Sequence, residues 1–157
     1  MSEKNFSSNE IQLVVFKLGR EEYGIGILQV QEIKRMTDIT RVPHTPEYIK
    51  GVMNLRGSVL PVIDLKKRLS LPPQDYTDDT RIIIVKVEDI TVGMIVDAVS
   101  EVAAVDSDHI EPPQTVVGGI AADYLTGVGK AENRLLILLN VEAIIGIGIG
   151  ADTVKAG

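Results

Sequence analysis

The 157-residue chain has no cysteine and no tryptophan, and its aromatic content is only 4%. Without cysteine there can be no disulfide, thiolate metal ligand or cysteine nucleophile, and the chain suits a reducing compartment. With so few aromatic rings, the core must be aliphatic. Positive charge is also scarce. Sixteen Lys and Arg face twenty-two Asp and Glu, giving a formal net charge of -6 and a pI near 4.9. No run of Lys and Arg offsets this, which argues against a nucleic-acid surface. Long apolar runs are missing as well: the longest uncharged one, Ala143 to Ala151, is too short and glycine-rich to span a bilayer. Met1 to Glu10 is polar and lacks the apolar centre of a signal peptide. These absences predict a soluble cytoplasmic protein with no direct membrane insertion and loose tails at 1–10 and 148–157.

Valine and isoleucine are plentiful, in short runs punctuated by Gly, Pro and Asp, a pattern that favours strands. The most informative stretch is Gly51 to Leu65, two apolar runs around a polar break. Gly57-Ser58 reads as a tight turn and Val59 to Leu65 as a short strand. Pro61 cannot donate a ladder hydrogen bond, so this strand is expected at an edge or with a bulge. The turn would hold the lone Arg56 at the rim of a sheet.

Before this stretch, Ile11 to Leu18 is a strand with Leu13 and Val15 on one face and Val14, Phe16 and Leu18 on the other. Both faces are apolar, so both should be covered. Tyr23 to Ile27 returns after a hairpin, Leu28 to Met36 continues, and Glu47 to Gly51 reads as one helical turn. Lys66 to Tyr76 reads as a charged linker or exposed edge. Arg81 to Val87 and Val92 to Val96 then restart the pattern.

The restart is a repeat. Displacing the chain by 69 positions puts Lys17 on Lys86, Gly24 on Gly93, Val30 on Val99, Glu32 on Glu101 and Pro43 on Pro112. Displacement by 76 puts Tyr48 on Tyr124, Gly51 on Gly127, Val52 on Val128, Leu60 on Leu136 and Asp64 on Asn140. An insertion of seven residues between Glu111 and Ala122 reconciles the two. Each half holds about five short strands, the pattern of a small antiparallel barrel. The reading is one all-β domain over 11–147, with two packed lobes near 11–75 and 81–147, edge-strand exchange allowed, and a groove between them. Arg56 falls on Glu132 and Gly57 on Asn133, so the arginine belongs to one half only.

No motif for chemistry survives inspection. His44 and His109 are the only histidines, and no serine sits in a nucleophile motif. Asp106-Ser107-Asp108-His109 lacks the ligand spacing of a calcium loop and reads as a cap. Gly127 to Lys130 lacks the outer glycine and the hydroxyl residue of a phosphate loop. Gly146 to Gly150 opens no strand-to-helix unit, and Asn5-Phe6-Ser7 is a sequon without secretory context. No enzyme, cofactor or metal is expected, although an enzyme with an unrecognised site stays open. Two small barrels cannot enclose every Val, Ile and Leu, so an exposed apolar patch is expected. Val14, Ile27, Val30 and Ile33 are either part of that patch or simply core. Arg56 is either a partner contact or a surface arginine paired with a carboxylate.

The segments Glu-Glu-Tyr-Gly-Ile-Gly-Ile (21–27), Val-Gln-Glu-Ile (30–33), Tyr-Ile-Lys-Gly-Val-Met-Asn-Leu-Arg-Gly (48–57), Leu-Pro-Val-Ile-Asp-Leu (60–65), Val-Gly-Met-Ile-Val-Asp-Ala-Val-Ser-Glu-Val (92–102) and Tyr-Leu-Thr-Gly-Val-Gly (124–129) together resemble the CheW-like domains of bacterial chemotaxis. The resemblance covers roughly Gln12 to Ile145. It implies two SH3-like five-stranded barrels and a non-catalytic adaptor that couples chemoreceptors (methyl-accepting chemotaxis proteins) to a CheA-type histidine kinase. By that analogy the regulatory domain of the kinase would meet Val14, Ile27, Val30 and Ile33. The cytoplasmic tip of the receptors would meet Glu32, Gly51, Arg56, Gly57, Val96 and Val99 in the groove. A motility pathway other than flagellar chemotaxis is the alternative setting. The Gly-Ile-rich end departs from the polar, helix-like end expected of such domains.

Overall fold

The computed structural model describes residues 9–113, 116–117 and 120–146. The expectations for the tails at 1–8 and 148–157, for the sequon at Asn5 and for the Gly-Ile run past Gly146 lie outside the described residues. Asn9 and Glu10 depart from the loose tail expected of them: Glu10 opens the first strand opposite Asp106, and the Asn9 carbonyl accepts from the Ser107 N–H at 2.7 Å. The strands are β1 (Glu10–Leu18), β2 (Glu21–Gly26), β3 (Val30–Arg35), β4 (Ile49–Leu55), β5 (Ser58–Asp64), β6 (Arg81–Val87), β7 (Ile90–Val96) and β8 (Ala98–Asp106). They continue as β9 (Val116–Val117), β10 (Ile120–Ala121), β11 (Leu125–Ala131) and β12 (Arg134–Leu139). Two short helices, α1 (Leu65–Arg68) and α2 (Val141–Ile145), follow β5 and β12.

The strands form two five-stranded sheets, ordered β3-β6-β7-β5-β4 and β8-β1-β2-β12-β11, with β9 and β10 as a separate small ladder. The repeat carries each position of one sheet onto the same position of the other: β1 matches β6, β2 matches β7, β3 matches β8, and β4 and β5 match β11 and β12. Each half therefore lends its first hairpin to the other half's sheet. Pairing is antiparallel except at β5–β7 and β12–β2, where the lent hairpin meets its host in parallel.

Each sheet curls until its ends meet. Thr40, past β3, exchanges hydrogen bonds of 2.9 and 2.8 Å with Val52 on β4, and Glu111, past β8, exchanges bonds of 2.9 and 2.8 Å with Val128 on β11. The result is two SH3-like barrels. A Cβ on Gly51 would lie 2.2 Å from the Thr40 carbonyl oxygen, and one on Gly127 would lie 2.6 Å from that of Glu111. Glycine sits at both places because the closing strand passes too close for any side chain.

Strand alternation supplies three cores. Leu13, Val15, Leu136 and Leu138 fill one barrel, and Met53, Leu60, Val62, Ile82 and Ile84 fill the other. The largest cluster lies between them, where Val14, Phe16, Tyr23 and Ile25 meet Ile63, Ile83, Met94 and Val96. Both faces of β1 are covered, as its apolar pattern requires. The space between the lobes is thus a packed core at its centre.

Four local expectations are corrected. The β4–β5 turn is Arg56-Gly57 rather than Gly57-Ser58, because Leu55 pairs with Ser58 and both intervening residues have positive φ (51° and 91°). β5 is an interior strand, not an edge, and the irregularity of its ladder lies on β4, between Ile49 and Gly51. Pro61 is tolerated because pairing with β7 begins only at Val62, so its missing N–H falls where no neighbour asks for it. Glu47 lies in a turn leading straight into β4, not in a helix. Lys66 to Tyr76 is not simply a linker: it begins within α1, whose N-terminus is capped by the Asp64 carboxylate accepting from the Lys67 N–H at 3.3 Å. Lys66 there is buried, its Nζ 2.7 Å from Asp97 and 2.8 Å from Gln74. The second half caps α2 in the same manner through Asn140, at 3.1 Å from the Ala143 N–H.

Candidate functional site

Arg56 stands in the left-handed region because the two-residue hairpin turn demands it, and the turn is supported by the Asn54 side chain accepting from the Gly57 N–H at 3.0 Å. From there the guanidinium reaches Glu32 on β3 in a two-pronged pair: Nη1 donates to Oε1 at 3.3 Å and Nη2 to Oε2 at closer range. The hydrogen bonds from Arg56 hold the Glu32 carboxyl below the usual carboxylate range, and Glu32 in turn raises the arginine. The Arg56 side chain remains 65% exposed, so this pair faces solvent.

The other half has a pair of the same kind. Glu101, the counterpart of Glu32, is bound by Arg134, which also reaches Glu22 on β2 at 3.2 Å. Arginine–glutamate pairing across the barrel ends is therefore common to both lobes, and the asymmetry lies in where the arginine comes from and how far it is open to solvent. Arg134 was not anticipated from sequence. The signal was present in the match of Glu32 to Glu101, since a repeated acid implies a repeated partner.

The remaining candidates divide by burial. Val14 and Val96 are 3% and 0% exposed in the inter-lobe core, so their side chains shape the surface from beneath. Ile27, Val30 and Val99 pack partly buried against the same cluster, on its rim. Ile33 is exposed on β3. Gly51 serves barrel closure, while Gly57 lies in the open with Arg56. The structure thus brings Glu32, Arg56 and Gly57 together at one barrel end and Ile27, Val30 and Val99 around the inter-lobe core.

Exposed apolar side chains follow the repeat too. Ile33 and its counterpart Val102 are both exposed, as are Val59 and its counterpart Leu135. Leu28, 98% exposed in the turn between β2 and β3, has no apolar counterpart because Asp97 takes its place. Asp106 caps the turn at Ser107–His109 by accepting from the Asp108 N–H at 2.9 Å, as expected of the acidic pair. No three His, Asp or Glu groups among the described residues converge on a metal position, and none of the described helices is long and apolar enough to cross a membrane.

Two SH3-like barrels that complete one another by hairpin exchange, with an exposed arginine–glutamate pair at one barrel end, define a double-barrel domain. Residues 12–147 match the CheW-like domain family, and the chain belongs to that family. A Chemotaxis protein CheW of Bacillus subtilis is 42% identical over 134 residues, covering 85% of this chain and 86% of its own. That of Klebsiella aerogenes is 40% identical over 134 residues, covering 85% and 81%. The crystal structure of scaffolding protein TtCheW from Thermoanaerobacter tengcongensis superposes with a TM-score of 0.81 at 39% identity, covering 87% of this chain and 88% of that one.

Proposed function

We propose that the protein is a non-catalytic cytoplasmic adaptor of chemotaxis that couples chemoreceptors to a CheA-type histidine kinase. Family membership across both barrels supports this, as do relatives named for chemotaxis and a structural neighbour titled a scaffolding protein. The observation that carries the assignment of surfaces is the exposed Arg56–Glu32 pair, which is charged, held by two hydrogen bonds and open to an incoming group. In this reading the receptor tip docks beside Glu32, Arg56 and Gly57, with Gly51, Val96 and Val99 supporting that face. The kinase regulatory domain docks on Ile27, Val30 and Ile33, over Val14. A change in the receptor then biases the kinase only to the extent that its two states differ in affinity for this assembly.

Arg56→Asn tests the assignment, since asparagine tolerates the left-handed turn and removes only the guanidinium. Receptor-fragment capture should fall while capture of the kinase regulatory domain and the melting temperature stay unchanged. The Glu32 carboxyl should titrate at higher pH than in the parent, followed by NMR. Equal loss of both partners, or a much lower melting temperature, would make Arg56 structural.

A further inference from the structure

We propose that the hollow beneath the Pro43–Pro46 loop is a docking site for an acidic segment of a protein partner, at the end of β4 opposite Arg56. The hollow, of about 340 Å³, is bounded by the loop, the start of β4 and α1, and Arg41, Lys50 and Lys67 line it against a single carboxylate, Glu47. All three cations are exposed, and none has an ion-pair partner among the described residues; Lys50 is held only against the ring of Tyr76, at 5.2 Å. Arg41 and Lys50 come from the loop and the strand it leads into, Lys67 from α1 beyond the β4–β5 hairpin, and the fold gathers them in a chain whose net charge is -6.

The duplication sharpens the argument. The framework around the hollow recurs in the other half: Tyr48 as Tyr124, Gly51 as Gly127, and the capping Asp64 as Asn140. The cations do not. Thr126 and Ala143 stand for Lys50 and Lys67, and Ile110 stands for Arg41. Charge that the scaffold does not need in one copy has been placed on the other. Exposed pairs contribute little singly, so one small anion gains little here. A segment bearing several carboxylates engages all three cations at once and is steered toward them.

The test titrates isotope-labelled full-length protein with an oligo-glutamate peptide, an oligo-lysine peptide and inorganic phosphate. Oligo-glutamate should shift the amides of 41–50 and of α1, with affinity falling as salt rises. Each of Arg41→Gln, Lys50→Gln and Lys67→Gln should weaken it by about two- to five-fold without changing the melting temperature. Oligo-lysine should leave these amides unmoved. Shifts scattered over the surface, or binding indifferent to the triple substitution, would overturn the proposal. So would inorganic phosphate binding as tightly as the peptide, which would make the hollow a small-anion site.

Discussion

Tyr23 is wholly buried and stacked on Phe16 with ring centroids 6.0 Å apart, yet its hydroxyl finds no hydrogen-bond partner among the described residues. A buried polar group left unpaired costs about 1–3 kcal/mol. Tyr23→Phe should therefore be neutral or stabilising by about 1–2 kcal/mol, against the usual run of core substitutions, as a higher denaturant midpoint would report. Burial, with the nearby Glu21 charge, pushes the Tyr23 hydroxyl up to about 12, and burial, with Asp64, does the same for Tyr76. In the unfolded chain these groups ionise near 10. Their contribution is complete below that pH and is lost as pH rises toward 12, so the protein should destabilise in alkali and Tyr23→Phe should lose less. Tyrosinate absorbance against pH, beside unfolding curves, checks both. At this scale the sequence was a partial guide. It singled out Arg56, with Glu32 added by the family resemblance, but their pairing joins residues 24 apart and exists only once the barrel closes. Val14 was open between patch and core because a valine on a strand covered on both faces reads the same as one at a surface, and Val96 entered only through the family resemblance; both are buried.

At the scale of elements, the turns and the closing strands decide most. Gly51 has a φ of 155° and no room for a Cβ beside the Thr40 backbone, whereas Gly57 has a φ of 91° and open space. Gly51→Ala should lose about 2–5 kcal/mol from clash and strain together, and Gly57→Ala about 1 kcal/mol from strain alone, as compared by chemical denaturation. Strands were legible because a short apolar run bounded by turn residues is a local signal, as in Ile11 to Leu18 before Gly19. Pro61 misled because its missing donor bars pairing at one residue, not along a strand. The burial of Lys66 was illegible for another reason: its partner Asp97 lies on the connection after β7, and no local pattern announces it.

For the whole molecule, the exchange of hairpins makes each barrel dependent on both halves. Fragments 9–75 and 81–146 should each fail to fold alone, and the intact chain should unfold in one transition with matching calorimetric and van't Hoff enthalpies. Circular dichroism of the fragments and calorimetry of the whole check this. The repeat read in the sequence anticipated two lobes with edge-strand exchange allowed, but that the exchanged pieces are interior hairpins, β1-β2 and β6-β7, is a property of space rather than order. Arg68 shows what a single continuous chain permits. Its guanidinium lies 4.4 Å from the ring of Tyr48 and 5.0 Å from that of Tyr124, the same tyrosine in each half, and its Nε donates to the carbonyl of Ile144 at 2.8 Å. Ile144 is the position that the repeat matches to Arg68 itself. Two identical subunits in this arrangement would press one guanidinium against another, because Arg68 packs beside its own matched position. A single continuous chain lets the two matched positions carry unlike residues, so one guanidinium can serve the tyrosines of both halves.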